Sequence, residues 1–422
     1  MRMTYKYLII LRGIVSSVKI NEGIKSMKRI YSFIIPIIIA VVAAILSNNI
    51  LDKKISYLSK TKDLAKFATN YGDFPKDRSI VAKKVLGQNG DLFLLGSSEM
   101  KIDVPENALK LFPIKGGEYN VSSFGRGYSQ NLQQASMIGA CDLKPDQKLA
   151  YIVSIQWFDD EAGIKPDKFA SNFSDIGFYE FLNNPKISEN NKMYYANRTY
   201  ELLSKADKFK PEALYAKLYC NNSFLSKIIR NILKPYYVAK IYLSEIKDKA
   251  LIYSELKKLP DKSEESKEYK EVDWNEEYNE LLKESEETES SNEFHLTDKY
   301  YNDNVKDIKD YVKGLLASQE ITKSVELDDF KFFLSVCNDL GIKPYIIMPP
   351  VNGWYYDYLG LSKDERYEYY NTLDSLAGSE DIDVLDLRQY EYQKDFLMDV
   401  MHLGKEGWLK VSEGIYNHFN EK

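Results

Sequence analysis

The chain has 422 residues, enough for one large domain or two modest ones, and a formal charge of −6. That balance leaves no basic face of the kind nucleic acid requires. Three widely spaced cysteines, Cys141, Cys220 and Cys337, form no C-x-x-C pair, so neither a zinc site nor a disulfide framework can be read from them.

The charge is unevenly placed. Residues 1–29 hold seven Lys/Arg against one acid, Glu22, a net +6 that leaves −12 for the remainder. Arg29 and Asp52 bracket 22 uncharged residues, 30–51. At about 1.5 Å per residue these reach roughly 33 Å, against about 30 Å of bilayer hydrocarbon. Pro36 is tolerated in such a helix. The segment reads as a transmembrane anchor, because "LSNNILDKK" has no small-x-small site for cleavage of a signal peptide. The positive flank directs the N-terminus to the cytoplasm and everything after residue 52 to the outside. Met27 opens "MKRIYSFIIP", a typical anchor start, so residues 1–26 are expected to be an upstream start-site extension.

Residues 52–88 are polar and mixed, and are expected to form a helical stalk. "DLFLLGSSEM" (91–100) then opens a domain over 89–422 with a short buried strand. Further strands are predicted in "KLAYIVSIQWF" (148–158), "IKPYIIMPP" (342–350) and "DIDVLDL" (381–387). Apolar strands separated by helical patterns predict an α/β fold with a parallel sheet buried on both faces. Residues 160–330 show helical periodicity and little strand signal, so they read as a helical insertion. Within them the acidic stretch 263–293 is read as a solvated helix face or mobile loop. At the C-terminus Trp408, Val411, Ile415 and Phe419 recur at helical spacing and should pack on the sheet.

Only three histidines are present. His295 lies in the acidic middle, and His418 is expected to be solvent-exposed near the end of the last helix. His402 follows Asp399 by three residues, close enough for the carboxylate to fix one ring nitrogen and leave the other as a base. Alone, D-x-x-H more often marks a loop aspartate before a helix start. The serines that end the first strand, Ser97 and Ser98, sit where α/β folds bind ligands. Either can instead cap a helix, with Glu99 in its first turn. The glycine loop "SSFGRGYSQ" (122–130) and Gln156 in "SIQWF" (154–158) can supply donors to an oxyanion. "PPVNGWYYDYLGL" (349–361) brings Asn352 and Trp354, which either line an acceptor or acyl pocket or belong to a surface loop packed on the core.

In "GSSEM", "GRGYSQ", "SIQWF", "PPVNGWYYDYLGL" and "DVMHLGKEGW", taken in that order, the chain resembles the SGNH hydrolase superfamily. Within it, the chain resembles the DltD family of D-alanyl-lipoteichoic acid biosynthesis proteins. The resemblance covers nearly everything after the anchor. It implies an SGNH-like parallel sheet flanked by helices, with Ser98 as nucleophile, His402 as general base and then acid, and Asp399 orienting His402. It also implies an oxyanion hole from the backbone N–H groups of Ser98 and Gly127 with the Gln156 amide. Gly125, two residues before Gly127, is the competing glycine. Three positions depart from the patterns: Ser97 replaces an acid and Gln156 an asparagine of the superfamily, and Ile155 stands where the family commonly has proline. The implied activity is transfer of D-alanine through an acyl-serine to a polyol hydroxyl of teichoic acid outside a Gram-positive membrane. A membrane-bound O-acyltransferase is the implied partner, and no metal or redox cofactor is needed. The rival readings are a membrane-anchored esterase or O-acetyltransferase of another cell-wall glycan, a non-catalytic teichoic-acid-binding scaffold, and a carrier-protein thioesterase, which would need a cytoplasmic catalytic domain.

Overall fold

A computed structural model describes residues 32, 34–221, 223–263 and 268–420, so the basic segment 1–29 and the proposed extension 1–26 lie outside the described residues. The chain divides into two units, Met1–Ser56 and Tyr57–Lys422. A helix that begins in the first, Ile34–Thr61, is 28 residues long and apolar enough to cross a membrane. In its first half the apolar side chains, among them Ile37, Ile39 and Leu46, are exposed, as a lipid-facing helix requires, whereas Ile55 and Leu58 near its end are buried.

The second unit is built on a five-stranded parallel sheet: β1 Leu92–Leu95, β2 Val121–Phe124, β3 Leu149–Ile152, β4 Tyr345–Met348 and β5 Val384–Asp386. The strand order is β2-β1-β3-β4-β5. Strands β1, β3 and β4 read LFLL, LAYI and YIIM and are buried throughout, as helices on both faces demand. Strand β2 was absent from the sequence expectation, which placed Ser122 and Ser123 in a loop. Its VSSF core is nevertheless fully buried. Ser122 Oγ donates to Asp91 Oδ2 at 2.6 Å, and Ser123 Oγ accepts from Lys76 Nζ at 3.0 Å. Those bonds satisfy two hydroxyls that would otherwise argue against a buried strand.

Chain direction through the sheet reverses beside β1, with β2 on one side and β3 on the other. The crevice at the carboxyl ends of β1 and β3 is therefore the topological switch point, where open parallel sheets take their ligands. The loops after both strands carry the candidate residues.

Residues 64–88 depart from the expected stalk. Helices Ala65–Thr69, Phe74–Arg78 and Ile80–Gln88 bury Phe67, Ala68, Ala82 and Leu86 and belong to the folded unit. Between β3 and β4 the chain is helical, including Glu189–Lys205, the 35-residue Phe224–Lys258 and Val325–Leu340. In the acidic stretch a helix, Trp274–Glu287, buries only Leu281 and leans on the C-terminal helix through Trp274 and Tyr416. The C-terminal helix Lys405–Asn420 buries Trp408, Val411 and Ile415 against Tyr345, Ile347 and Phe396. His418 is not the exposed residue its position suggested. Its ring stacks 4.1 Å from that of Tyr345, and its Nδ1 lies 3.3 Å from Asp383.

Candidate active site

Strand β1 stops at Leu95, and the chain turns through Gly96 and Ser97 into a short 3-10 helix, Ser98–Lys101. The turn sends the adjacent hydroxyls in different directions. Ser97 is buried, and its Oγ donates to the Arg126 carbonyl at 3.2 Å, latching β1 to the loop after β2. Ser98 is partly exposed, and its Oγ lies 3.0 Å from His402 Nε2.

His402 sits in a tight loop just before the C-terminal helix. Asp399 Oδ1 accepts the backbone N–H groups of Met401 and His402 at 2.8 and 2.7 Å. Asp399 Oδ2 takes His402 Nδ1 at 2.7 Å. The second contact assigns the proton to Nδ1 and leaves Nε2 as the acceptor facing Ser98. Burial opposes ionisation of Asp399. The bonds from His402 and the two backbone groups outweigh it, and its pKa lies below the ordinary aspartate value. Burial likewise opposes a charged His402. The hydrogen bond and charge of Asp399, joined by the charge of Glu99, raise its pKa above the ordinary histidine value.

Glu99 was read from sequence only as a first-turn residue. It is fully buried under the turn. Its Oε2 accepts the Ser97 N–H at 2.9 Å, and its Oε1 accepts from Ser154 Oγ and, at 3.1 Å, from Gln156 Nε2. One carboxylate therefore joins the ends of β1 and β3. Its signal in the sequence was an acid four residues after the end of a fully apolar strand.

The other sequence candidates take these positions. Gln156 is half-buried, and its amide is held by Glu99. Gly127 has open space where a Cβ would stand, its carbonyl accepts from Asn172 Nδ2 at 2.9 Å, and its N–H meets the Tyr71 phenol. Tyr71, which sequence reasoning passed over, has its pKa pushed up to about 12 by burial and by the Glu99 charge. Asn352 caps the helix Gly353–Leu359: its Oδ1 accepts Tyr355 N–H at 2.8 Å, and its Nδ2 donates to the Phe294 carbonyl at 2.8 Å. Trp354 packs against His295, with ring centres 4.3 Å apart and the planes tilted by 47°. Among the described residues no group of three or more His, Cys, Asp or Glu is placed to hold a metal ion.

A hydroxyl, an imidazole and a carboxylate in hydrogen-bonded series at a switch point can activate the hydroxyl as a nucleophile. The model of the family described as "DltD protein" matches residues 68–420. The chain belongs to the DltD family. Protein DltD of Bacillus subtilis (strain 168) is 29% identical over 326 residues, covering 76% of this chain and 80% of that protein. Protein DltD of Staphylococcus aureus (strain NCTC 8325 / PS 47) is 23% identical over 349 residues, covering 81% and 84%. Protein DltD of Lacticaseibacillus rhamnosus is 26% identical over 127 residues, 30% of each chain. DltD membership gives the chain a role in the D-alanylation of teichoic acid in Gram-positive cell walls, and the helix Ile34–Thr61 fits a single-pass membrane protein.

Proposed function

We propose that this DltD-family chain is a serine acyltransferase that carries D-alanine on Ser98 and passes it to a polyol hydroxyl of teichoic acid. The series Ser98 Oγ, His402 Nε2, His402 Nδ1 and Asp399 Oδ2, joined at 3.0 and 2.7 Å, carries the reading.

In the first half-reaction Nε2 takes the hydroxyl proton as Ser98 Oγ attacks the carbonyl of a D-alanyl ester. The Oγ–C bond forms, and the imidazolium rests against Asp399. As the tetrahedral intermediate collapses, the ester C–O bond breaks and Nε2 returns the proton to the departing alkoxide. In the second half an acceptor hydroxyl loses its proton to Nε2 and attacks the acyl-serine, and Ser98 leaves with that proton. Donors for the oxyanion are the Ser98 N–H and the N–H of Gln156 not given to Glu99. A Gly127 N–H contribution needs the Tyr71 phenol to move aside.

The positive flank of the apolar helix favours an external catalytic domain. A membrane-bound O-acyltransferase would then deliver the acyl group from the cytoplasmic side. Teichoic acid is a polyanion, and the chain beyond residue 29 carries −12. Shared attachment to one membrane, which raises effective concentration, accounts for the encounter better than long-range attraction.

The test is complementation of a strain lacking the chain, with wall-released D-alanine as the readout. Ser98→Ala and His402→Ala are each expected to reduce ester formation by at least about 10³-fold. Ser97→Ala is expected to retain most of it. Full D-alanine with Ser98→Ala ends the covalent reading. Acetate released from another glycan, with D-alanine esters unchanged in the variants, would instead favour an esterase or O-acetyltransferase of that glycan.

A further inference from the structure

The helix Phe224–Lys258 buries one end and not the other. Its second half sets Ile252 and Leu256 into the domain. Its first half is held through Tyr237, which is buried and donates its hydroxyl to the Pro211 carbonyl at 3.1 Å. Ser223 caps its start by accepting Ser226 N–H at 3.2 Å. This half is therefore an anchored helix, yet Phe224 is 80% exposed and Ile232 70%, and Leu225, Ile228, Tyr236 and Leu243 are exposed with them. At 100° per residue those six side chains fall within an arc of about 120°. They form one stripe along 20 residues, about 30 Å of helix.

The charge along the stripe is one-sided. Residues 221–244 hold Lys227, Arg230, Lys234 and Lys240 and no acid, in a chain whose net charge is −6. Helical spacing sets Lys227 and Lys234 along one border of the stripe and Lys240 along the other. Lys240 is tied to Glu212 at 3.0 Å. An apolar stripe bordered on one side by the exposed Lys227 and Lys234 is the pattern of a helix lying in a bilayer interface. The chain also carries, in Ile34–Thr61, a helix able to cross a membrane, which would tether the chain to one.

We propose that the exposed face of residues 224–243 lies on the surface of an anionic lipid bilayer, with the six apolar side chains at the headgroup boundary and the lysines among lipid phosphates. This goes beyond the acyl-transfer reading and does not depend on it. Acidic headgroups complement an acid-free cationic segment. Contact at this face would add a second attachment to the one supplied by the crossing helix.

The test uses the full chain reconstituted in vesicles. A Cys220→Ser background leaves Cys141 and Cys337, both buried, unlabelled. An environment-sensitive nitrobenzoxadiazole probe is placed on Ile232→Cys and, as a control, on Glu380→Cys, exposed on another helix end. Nitroxide-bearing lipids are expected to quench the probe at 232 but not at 380 in vesicles containing phosphatidylglycerol. In pure phosphatidylcholine the effect should weaken. Adding Lys227→Ala or Lys234→Ala is expected to lower the ratio of bound to free face about fivefold per lysine removed. Equal quenching at 232 and 380 in phosphatidylglycerol vesicles overturns the proposal. A probe at 232 that moves to an apolar environment without quenching by the labelled lipid also overturns it, because a protein surface, not lipid, would then cover the face.

Discussion

Glu99 shows how one buried carboxylate shapes the chemistry of its neighbours without touching the reacting hydroxyl. It fixes the backbone at Ser97, holds the Gln156 amide and places a negative charge near His402. We therefore treat it as a positioning residue. Glu99→Gln keeps the shape and removes the charge. Glu99 helps raise the His402 pKa, so its loss should lower that pKa. The base must be neutral to take the Ser98 proton, so the acid limb of acyl transfer should move to lower pH. Turnover on the plateau should fall by about tenfold or more as the imidazolium and the Gln156 donor lose support. The pH profile of single-turnover acylation measures this, and an unmoved acid limb would leave Glu99 a merely structural role. Asp399→Asn should lower the same pKa by a larger step and reduce activity by about 10⁴-fold, since it also removes the partner that assigns the Nδ1 proton. Ser97 stands where the SGNH superfamily pattern has an acid. The fold places an acid, Glu99, one residue beyond Ser98, with its oxygens on Ser97 N–H, Ser154 and Gln156.

At the scale of elements, the loop after β2 separates two glycines that sequence reasoning could not rank. Gly125 has φ +123°, and a Cβ there would lie 2.0 Å from the Gly96 carbonyl and 2.8 Å from Gln134 Nε2. Gly127 has nothing within 4 Å of that position. Gly125→Ala must force apart the ends of β1 and β2 that set the Ser98 turn, and is expected to destabilise the fold by more than about 2 kcal/mol. Gly127→Ala should fall within about 0.5 kcal/mol of the parent, because it meets no atoms and keeps its N–H. Urea midpoints of the two variants decide this, and equal midpoints would contradict the geometry. Three strands, β1, β3 and β4, were legible as uninterrupted apolar runs, and β5 as Ile382, Val384, Leu385 and Leu387 set among aspartates. Strand β2 was not, because its serines are satisfied by Asp91 and Lys76, residues 31 and 47 positions away in sequence. The same long-range chemistry hid the burial of residues 64–88, where Lys76 and Lys83 read as surface charges yet bond to enclosed carbonyls. Ser98, His402 and Asp399 could be named from spacing and resemblance. The Asn352 bond to the Phe294 carbonyl and Tyr71 against Gly127 could not, since each is set by a partner from a distant segment.

For the whole molecule, the buried titratable groups combine into a stability profile whose sign can be worked out. Burial pushes Asp77 up to about 7, despite Lys76 and Lys83, and pushes Asp159 to about 7. It also raises Asp91, Asp248 and Glu406. An acid whose folded pKa exceeds its unfolded value of about 4 binds more protons in the native state between the two values, so stability falls as pH rises through that window. His402 acts in the same direction: its contribution is complete below about 6.5 and is lost as pH rises through its raised folded pKa. Asp399 opposes them only in strong acid. Its folded pKa is depressed, so its contribution is present above about 4 and lost as pH falls through the folded value. Lys76, lowered to about 8 by burial, acts only above that pH, where the unfolded state binds more protons and stability rises again. From pH 5.5 to 7 the native state should therefore lose stability, at about 1.4 kcal/mol per pH unit for each proton it holds in excess. Urea unfolding of the full chain in detergent should give a higher midpoint at pH 5.5 than at pH 7. Asp77→Asn cannot titrate and should flatten that slope while leaving the part due to Asp159. A midpoint that climbs between pH 5.5 and 7 would mean that these carboxyl groups are ionised in the folded protein, held by Lys76 and Lys83 more strongly than their burial opposes.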